Sequence, residues 1–139
     1  MRDYLEIQKT ILNALLEDEL VNNVATSVAE VNAKHTLYWT AIIECNGRTD
    51  YEDYSVYDYN MYFVNKQMTN TTEVAENTVD WNYSMGMLIA KNALKRLEEQ
   101  DIMTQYPLTF NFASVRFADV CDCVTLKVML QVENEIDCD

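Results

Sequence analysis

Four cysteines, one histidine and a run of carboxylates are the side chains that could ligate a metal, attack a substrate or move a proton. Cys121 and Cys123 stand two apart, while Cys45, Cys138 and His35 are distant from them and from one another. A zinc site draws its ligands from two closely spaced pairs, and this chain offers one pair and a single His. A Cys–His nucleophile would have to join His35 to one of the thiols, and a solvated loop histidine is the commoner use. Asp50, Glu52, Asp53 and Asp58 could supply paired carboxylates for acid–base work. No partner residue singles out two of them, and acidic runs are more often solvated faces. Trp81 with Met85 and Met87 offers an apolar ligand wall, although core filling is the commoner use of Met.

Nothing else in the chain raises these groups above that background. G-x-x-x-x-G-K-[ST], G-x-G-x-x-G, G-x-S-x-G and H-E-x-x-H are all missing, and 2 Gly cannot build a phosphate-cradling loop in the usual way. The sequence therefore predicts no catalytic residue, no cofactor-binding residue and no metal ligand. The expectation is a protein that is not an enzyme.

The net charge of -13 narrows the partners. Duplex nucleic acid needs a basic surface to displace its counterions, so unspecific DNA binding is disfavoured, and the same repulsion disfavours an anionic membrane. Acidity serves solubility first; it also suits the steering of a basic partner, or a pore wall past which nucleic acid slides without sticking. No stretch approaches the roughly 18 consecutive apolar residues of a membrane span. The start, Met1-Arg2-Asp3-Tyr4, turns polar where a signal peptide has its apolar core. A cytoplasmic origin follows, with the cysteines read as free thiols.

The elements that would position these groups follow from periodicity. Val120, Val124, Leu126, Val128, Leu130 and Val132 alternate with Cys121, Cys123, Thr125, Lys127, Met129 and Gln131, a strand with one buried face. Tyr4, Ile7, Ile11, Leu12, Leu15 and Leu16 recur at three- and four-residue spacing and predict a helix over 3–20. Asp18 and Glu19 oppose the dipole at its end. A weak strand follows over 24–31 and a stronger one over 37–44, with Tyr38, Trp39, Ile42 and Ile43. Asn46-Gly47 then reads as the tight turn of an antiparallel hairpin. Its return strand, 54–64, carries Tyr57, Tyr59, Met61 and Phe63 on one face and Tyr54, Val56, Asp58, Asn60 and Tyr62 on the other. A neighbour covering the second face is implied. Residues 65–77 form a polar loop, and a second helix spans 80–99, capped by Thr78 or Asp80. Its stripe of Trp81, Met85, Leu88, Ile89 and Ala93 is broadened by Met87, Ala90, Leu94 and Leu97, so the helix is central or sandwiched by another chain. Tyr106-Pro107 closes the connection to a strand over 108–117, and Asp119 turns it into the last strand.

Helix, two or three strands, helix, two strands: this order predicts an α+β two-layer sandwich, a mainly antiparallel four- to five-stranded sheet with two helices packed on one face. At 139 residues with a single Pro, one domain is expected, without a linker.

Several segments carry a resemblance. Ile11-Leu12-Asn13-Ala14-Leu15-Leu16 followed by Val21-Asn22-Asn23-Val24, the strand from Tyr57 through Asp58, Tyr59, Asn60, Met61, Tyr62, Phe63 and Val64 to Asn65, the long helix after a polar loop, and the last strand with Asn134, Glu135 and Cys138 in its tail are similar to small neck and tail-completion proteins of tailed bacteriophages. Residues 27–37 have no counterpart in that pattern. The resemblance implies a virion structural protein, a tail terminator or head-tail connector, assembled in the host cytoplasm into a sixfold or twelvefold homo-oligomeric ring. Such a ring joins or caps assemblies through contacts with portal, adaptor or tail-tube proteins, performs no catalysis, needs no cofactor, and lets DNA pass through. The four carboxylates at 50–58 would then lie near solvent or the channel. The alternative is a free-standing acidic adaptor or inhibitor that binds a basic protein.

Overall fold

The computed structural model describes residues 3–27, 38–67, 79–116 and 120–134. Helix α1 (Tyr4–Leu16) is followed by β1 (Asn23–Ala25), β2 (Thr40–Asp50), β3 (Tyr54–Lys66), α2 (Val79–Glu98), β4 (Ile102–Arg116) and β5 (Val120–Glu133). The strands form one sheet in the order β1-β2-β3-β5-β4. β1 runs parallel to β2, and every other neighbour pair is antiparallel. Both helices share a core with one side of this sheet, which makes the fold the α+β sandwich that periodicity implies.

Asp3 caps α1, its carboxylate accepting the Glu6 N–H at 2.8 Å, and Ile7, Ile11, Ala14 and Leu15 are buried. The helix stops at Leu16, short of the expected Leu20. Carboxylates at a helix C-terminus oppose the dipole, and Asp18 instead turns back to accept the Leu20 N–H at 3.0 Å. Tyr4 and Leu16 fall outside the buried stripe and are exposed. Arg96 of α2 stitches this end down, donating to the Ala14 carbonyl at 3.1 Å and standing 3.5 Å from Glu17.

Asn46-Gly47 is not a turn. Cys45 pairs with Tyr59 and Gly47 with Asp58, which leaves Asn46 as an extra residue in a β-bulge, and β2 continues to Asp50. The tight hairpin turn needs positive φ at its centre, and neither glycine has it. Pairing of Arg48, Thr49 and Asp50 with Tyr57, Val56 and Ser55 carries the hairpin on, and the chain reverses where the Tyr51 N–H reaches the Tyr54 carbonyl at 2.8 Å. Strand β1 is shorter than 24–31, and Val28 to Val31 lie outside the described residues, as do Leu37, Thr78 and Asp119. β3 runs to Lys66, into the segment expected to be loop; 68–77 lie outside the described residues.

Tyr57, Tyr59, Met61 and Phe63 face the helices and are almost fully buried, each contributing about 1.5–3 kcal/mol by leaving water. Across from them stand Leu130, Val128, Leu126 and Val124 of β5. On α2 the buried line is Asn82, Gly86, Ile89, Ala90, Ala93, Leu94 and Leu97. Of the expected stripe, Ile89, Ala90, Ala93, Leu94 and Leu97 are buried, whereas Leu88 is exposed and Trp81, Met85 and Met87 only edge the core. Gly86 is the reason α2 sits so low, because a Cβ there would meet Val124 Cγ2 at 2.6 Å.

Candidate functional site

The far face of the sheet divides into two halves. At one end Ala25, Ile42, Val64, Cys121 and Cys123 form a second apolar cluster, with Tyr38, Tyr62 and Val115 packed around it. The Cys121/Cys123 pair thus belongs to packing, and burial pushes the Cys123 thiol up, away from the reactive thiolate. Cys45 is half-buried on the opposite face, its Sγ 3.6 Å from the Gly47 carbonyl. His35 and Cys138 lie outside the described residues. Among the described residues, no three His, Cys, Asp or Glu side chains gather as a metal site would require.

The other half of that face is open. Asp58 lies there beside Lys127 in a depression of about 340 Å³ floored by Val128 and walled by Gln105, Pro107 and Met129. The depression exists because Tyr106, Pro107 and Leu108 bulge out of β4: Gln105 pairs with Met129 and Thr109 with Lys127, leaving these three opposite Val128 alone. Tyr106-Pro107 therefore interrupts a strand that began at Ile102, whereas the sequence read it as the end of a connection. Proline donates no N–H, and on an outer strand that costs no ladder bond.

The four candidate carboxylates do not converge. Asp58 is half-buried on the far face, while Asp50, Glu52 and Asp53 sit exposed at the β2–β3 tip. Ser55 donates to Asp50 at 2.7 Å and Arg48 pairs with it; the hydroxyl and the guanidinium together hold its carboxyl below the usual range. Arg48 also donates to the Tyr57 hydroxyl at 3.2 Å and lies 5.5 Å from that ring's centre. The tip is a braced surface, with Asn134 of the last strand's exit donating its backbone N–H to the Asp53 carbonyl at 3.0 Å.

One buried polar group escaped the sequence reading. Asp122, 1% exposed, accepts from Asn82 Nδ2 at 2.9 Å, and Asn82, equally buried, accepts from Asn65 Nδ2 at 2.9 Å. Gln67 Nε2 lies 3.4 Å from the other Asp122 oxygen. The signals were present: Asp122 falls on the apolar face of an otherwise alternating strand, and Asn82 on the line of α2 that continues through Gly86 and Ala93. All its donors are amides, so the network fixes α2 on the sheet and offers no nucleophile or proton relay.

The remaining feature is strand β4 itself. Among the described residues it is one of the two outer strands, and residues 102–115 contain no Asp, Glu, Lys or Arg. Thr109, Asn111, Phe112, Ala113 and Ser114 are all exposed, and Phe112 stacks on Tyr83 with ring centres 4.6 Å apart. Such a charge-free stretch on an outer strand stands out on a chain of net charge -13, and it completes the description of the class: an α+β sandwich whose distinctive surface is an edge. No protein-family model matches this chain, and no curated protein matches it. No helix among the described residues is long and apolar enough to cross a membrane.

Proposed function

We propose that this protein is a non-catalytic assembly subunit that forms a homo-oligomeric ring at the neck or tail end of a phage particle, as connector or tail terminator. The observation that carries this reading is the bare β4 edge, which leaves one long line on an acidic molecule where copies approach without like-charge repulsion. The open half of the far sheet face supports it as a second contact surface, and a ring needs two different ones. The virion is then its final location and the host cytoplasm its place of assembly. The ring joins or caps neighbouring portal, adaptor or tube proteins, and its acidic wall lets DNA pass.

Light scattering after size exclusion, over a concentration series and with or without a portal or tube protein, tests this. A discrete cyclic oligomer, alone or on the template, is the expected result. A monomer of 16.2 kDa under every condition overturns it.

A second reading has its own observation. Where α1 ends against α2, an open groove of about 390 Å³ is lined by Glu17, Asp18 and Glu19 with Leu20 and Leu88 exposed beside them. That is the surface an acidic adaptor would offer to a basic, apolar-anchored segment of another protein. Stoichiometric capture of a basic protein by a persistent monomer favours it over the ring.

A further inference from the structure

Proteins defend an outer strand with charges, above all Lys, with shortness, or with proline. In β4 these defences are Pro107, with the bulge around it, and Arg116 at the end, and between them Leu108, Thr109, Phe110, Asn111, Phe112, Ala113, Ser114 and Val115 run on without charge, proline or glycine. Uncharged segments of this length, rich in aromatic and β-branched residues, are those that pair between molecules. Asn111, Phe112, Ala113 and Ser114 are exposed in succession, so both faces of this stretch reach solvent, although α2 reaches its helix side through Tyr83 on Phe112 and Lys91, 6.0 Å from the Phe110 ring centre. The opposite edge of the sheet, β1, spans three residues and pairs parallel, too short to receive β4 lengthwise.

We propose that β4 pairs antiparallel with β4 of a second copy across a twofold axis, joining the two sheets into one. This names the partner for the edge that carries the assembly reading, and rests on that reading in taking a second copy as the occupant. An axis perpendicular to the sheet keeps the helices of both copies on the same side, so helix-side residues must meet helix-side residues and the pairing centres on one residue. Centred on Asn111, it sets Phe110 opposite Phe112 of the second copy, twice, and Thr109 opposite Ala113. Aromatic cross-strand pairs are among the stronger contributors to sheet pairing, and Phe112 is already held by Tyr83. No charge from either strand falls between Leu108 and Ser114. Such a contact is isologous, so any larger assembly built on it has an even number of subunits and closes through a different surface.

Two variants at the exposed Asn111 test the register without touching the core. Opposed residues on paired strands have Cα atoms about 4.5–5.5 Å apart, within disulfide reach. Asn111→Cys in a Cys45→Ser, Cys138→Ser background is expected to give a dimer on mild oxidation, seen on a non-reducing gel, while Thr49→Cys in the same background gives none. Asn111→Lys sets two like charges face to face and is expected to halve the assembly's mass in light scattering, with circular dichroism unchanged. A cross-linked dimer of twice the 16.2 kDa chain mass that grows no further upholds the pairing and removes the ring. A ring that neither cross-links through Asn111→Cys nor responds to Asn111→Lys overturns the pairing and leaves the ring. A monomer at all concentrations overturns the pairing.

Discussion

Strands β5 and β4 lie side by side, span 14 and 15 residues, and do opposite work. β5 is bonded on both edges and buries Val124, Leu126, Val128, Leu130 and Val132 under the helices. Among the described residues, β4 is bonded on one edge, buries Ile102 alone, and shows Met103, Tyr106 and Phe112 to solvent. Hydrophobic content does not separate them; position does. Strict alternation marks the strand that lies between neighbours and beneath a helix, and its loss marks the strand at the margin of the sheet.

Substitutions along the two strands sharpen or break that contrast. The largest effect belongs to β5: Leu126→Ala, at a site with no exposure, should cost about 2–5 kcal/mol in denaturant unfolding, whereas Ala113→Ser on the adjoining strand should stay within about 0.5 kcal/mol. Equal losses would end the distinction. Next comes the polar member of the same buried face. Asp122→Ala takes away the nearer acceptor of Asn82, leaving it the Lys66 carbonyl at 3.4 Å, and should cost about 1–3 kcal/mol, and Asn82→Ala in the same chain should then add less than it does alone. Additive losses would show that the two side chains do not act as a unit. The smallest effect lies at the exposed β2–β3 tip. The folded-state pKa of Asp50 is depressed, so its stabilisation is present above the ordinary value of 3.8 and is lost as pH falls through the lowered one. Asp50→Asn should therefore flatten the acid limb of a stability–pH curve slightly, lowering stability a little at neutral pH and leaving it unchanged below the depressed value. A loss at pH 7 comparable to that of Asp122→Ala would mean that the tip, not the buried network, anchors the sheet.

Periodicity made β5, the stripe of α1 and the helix-facing aromatics of β3 legible, because each answers to one buried surface. Three features did not follow from local pattern. Asn46-Gly47 has turn chemistry, but the cross-strand pairing beyond it outweighs local preference and turns it into a bulge. Pro107 reads as a terminator, yet an outer strand tolerates it because no ladder bond is lost there. The stripe of α2 holds over Ile89, Ala90, Ala93, Leu94 and Leu97, but in the first turns counting large apolar residues misses the line, which Asn82 and Gly86 mark closest to β5. The edge was hardest to see. Absence of charge over 102–115 is a plain fact of sequence, but that it falls on an outer strand depends on sheet order, which no local window contains.

The extra residue at Asn46 acts as a phase shift in the chain's two-residue rhythm. Before it, odd-numbered side chains such as Ala41, Ile43 and Cys45 point toward the helices; after it, the even-numbered Arg48 and Asp50 do, opposite Tyr57 and Ser55. One strand can thus end its apolar run and still deliver a guanidinium to the same side, over an aromatic ring that would otherwise form the naked margin of the core. Without that single beat, Arg48 would point to the far face and Tyr57 would keep only Tyr4, stacked with ring centres 6.2 Å apart, between itself and water.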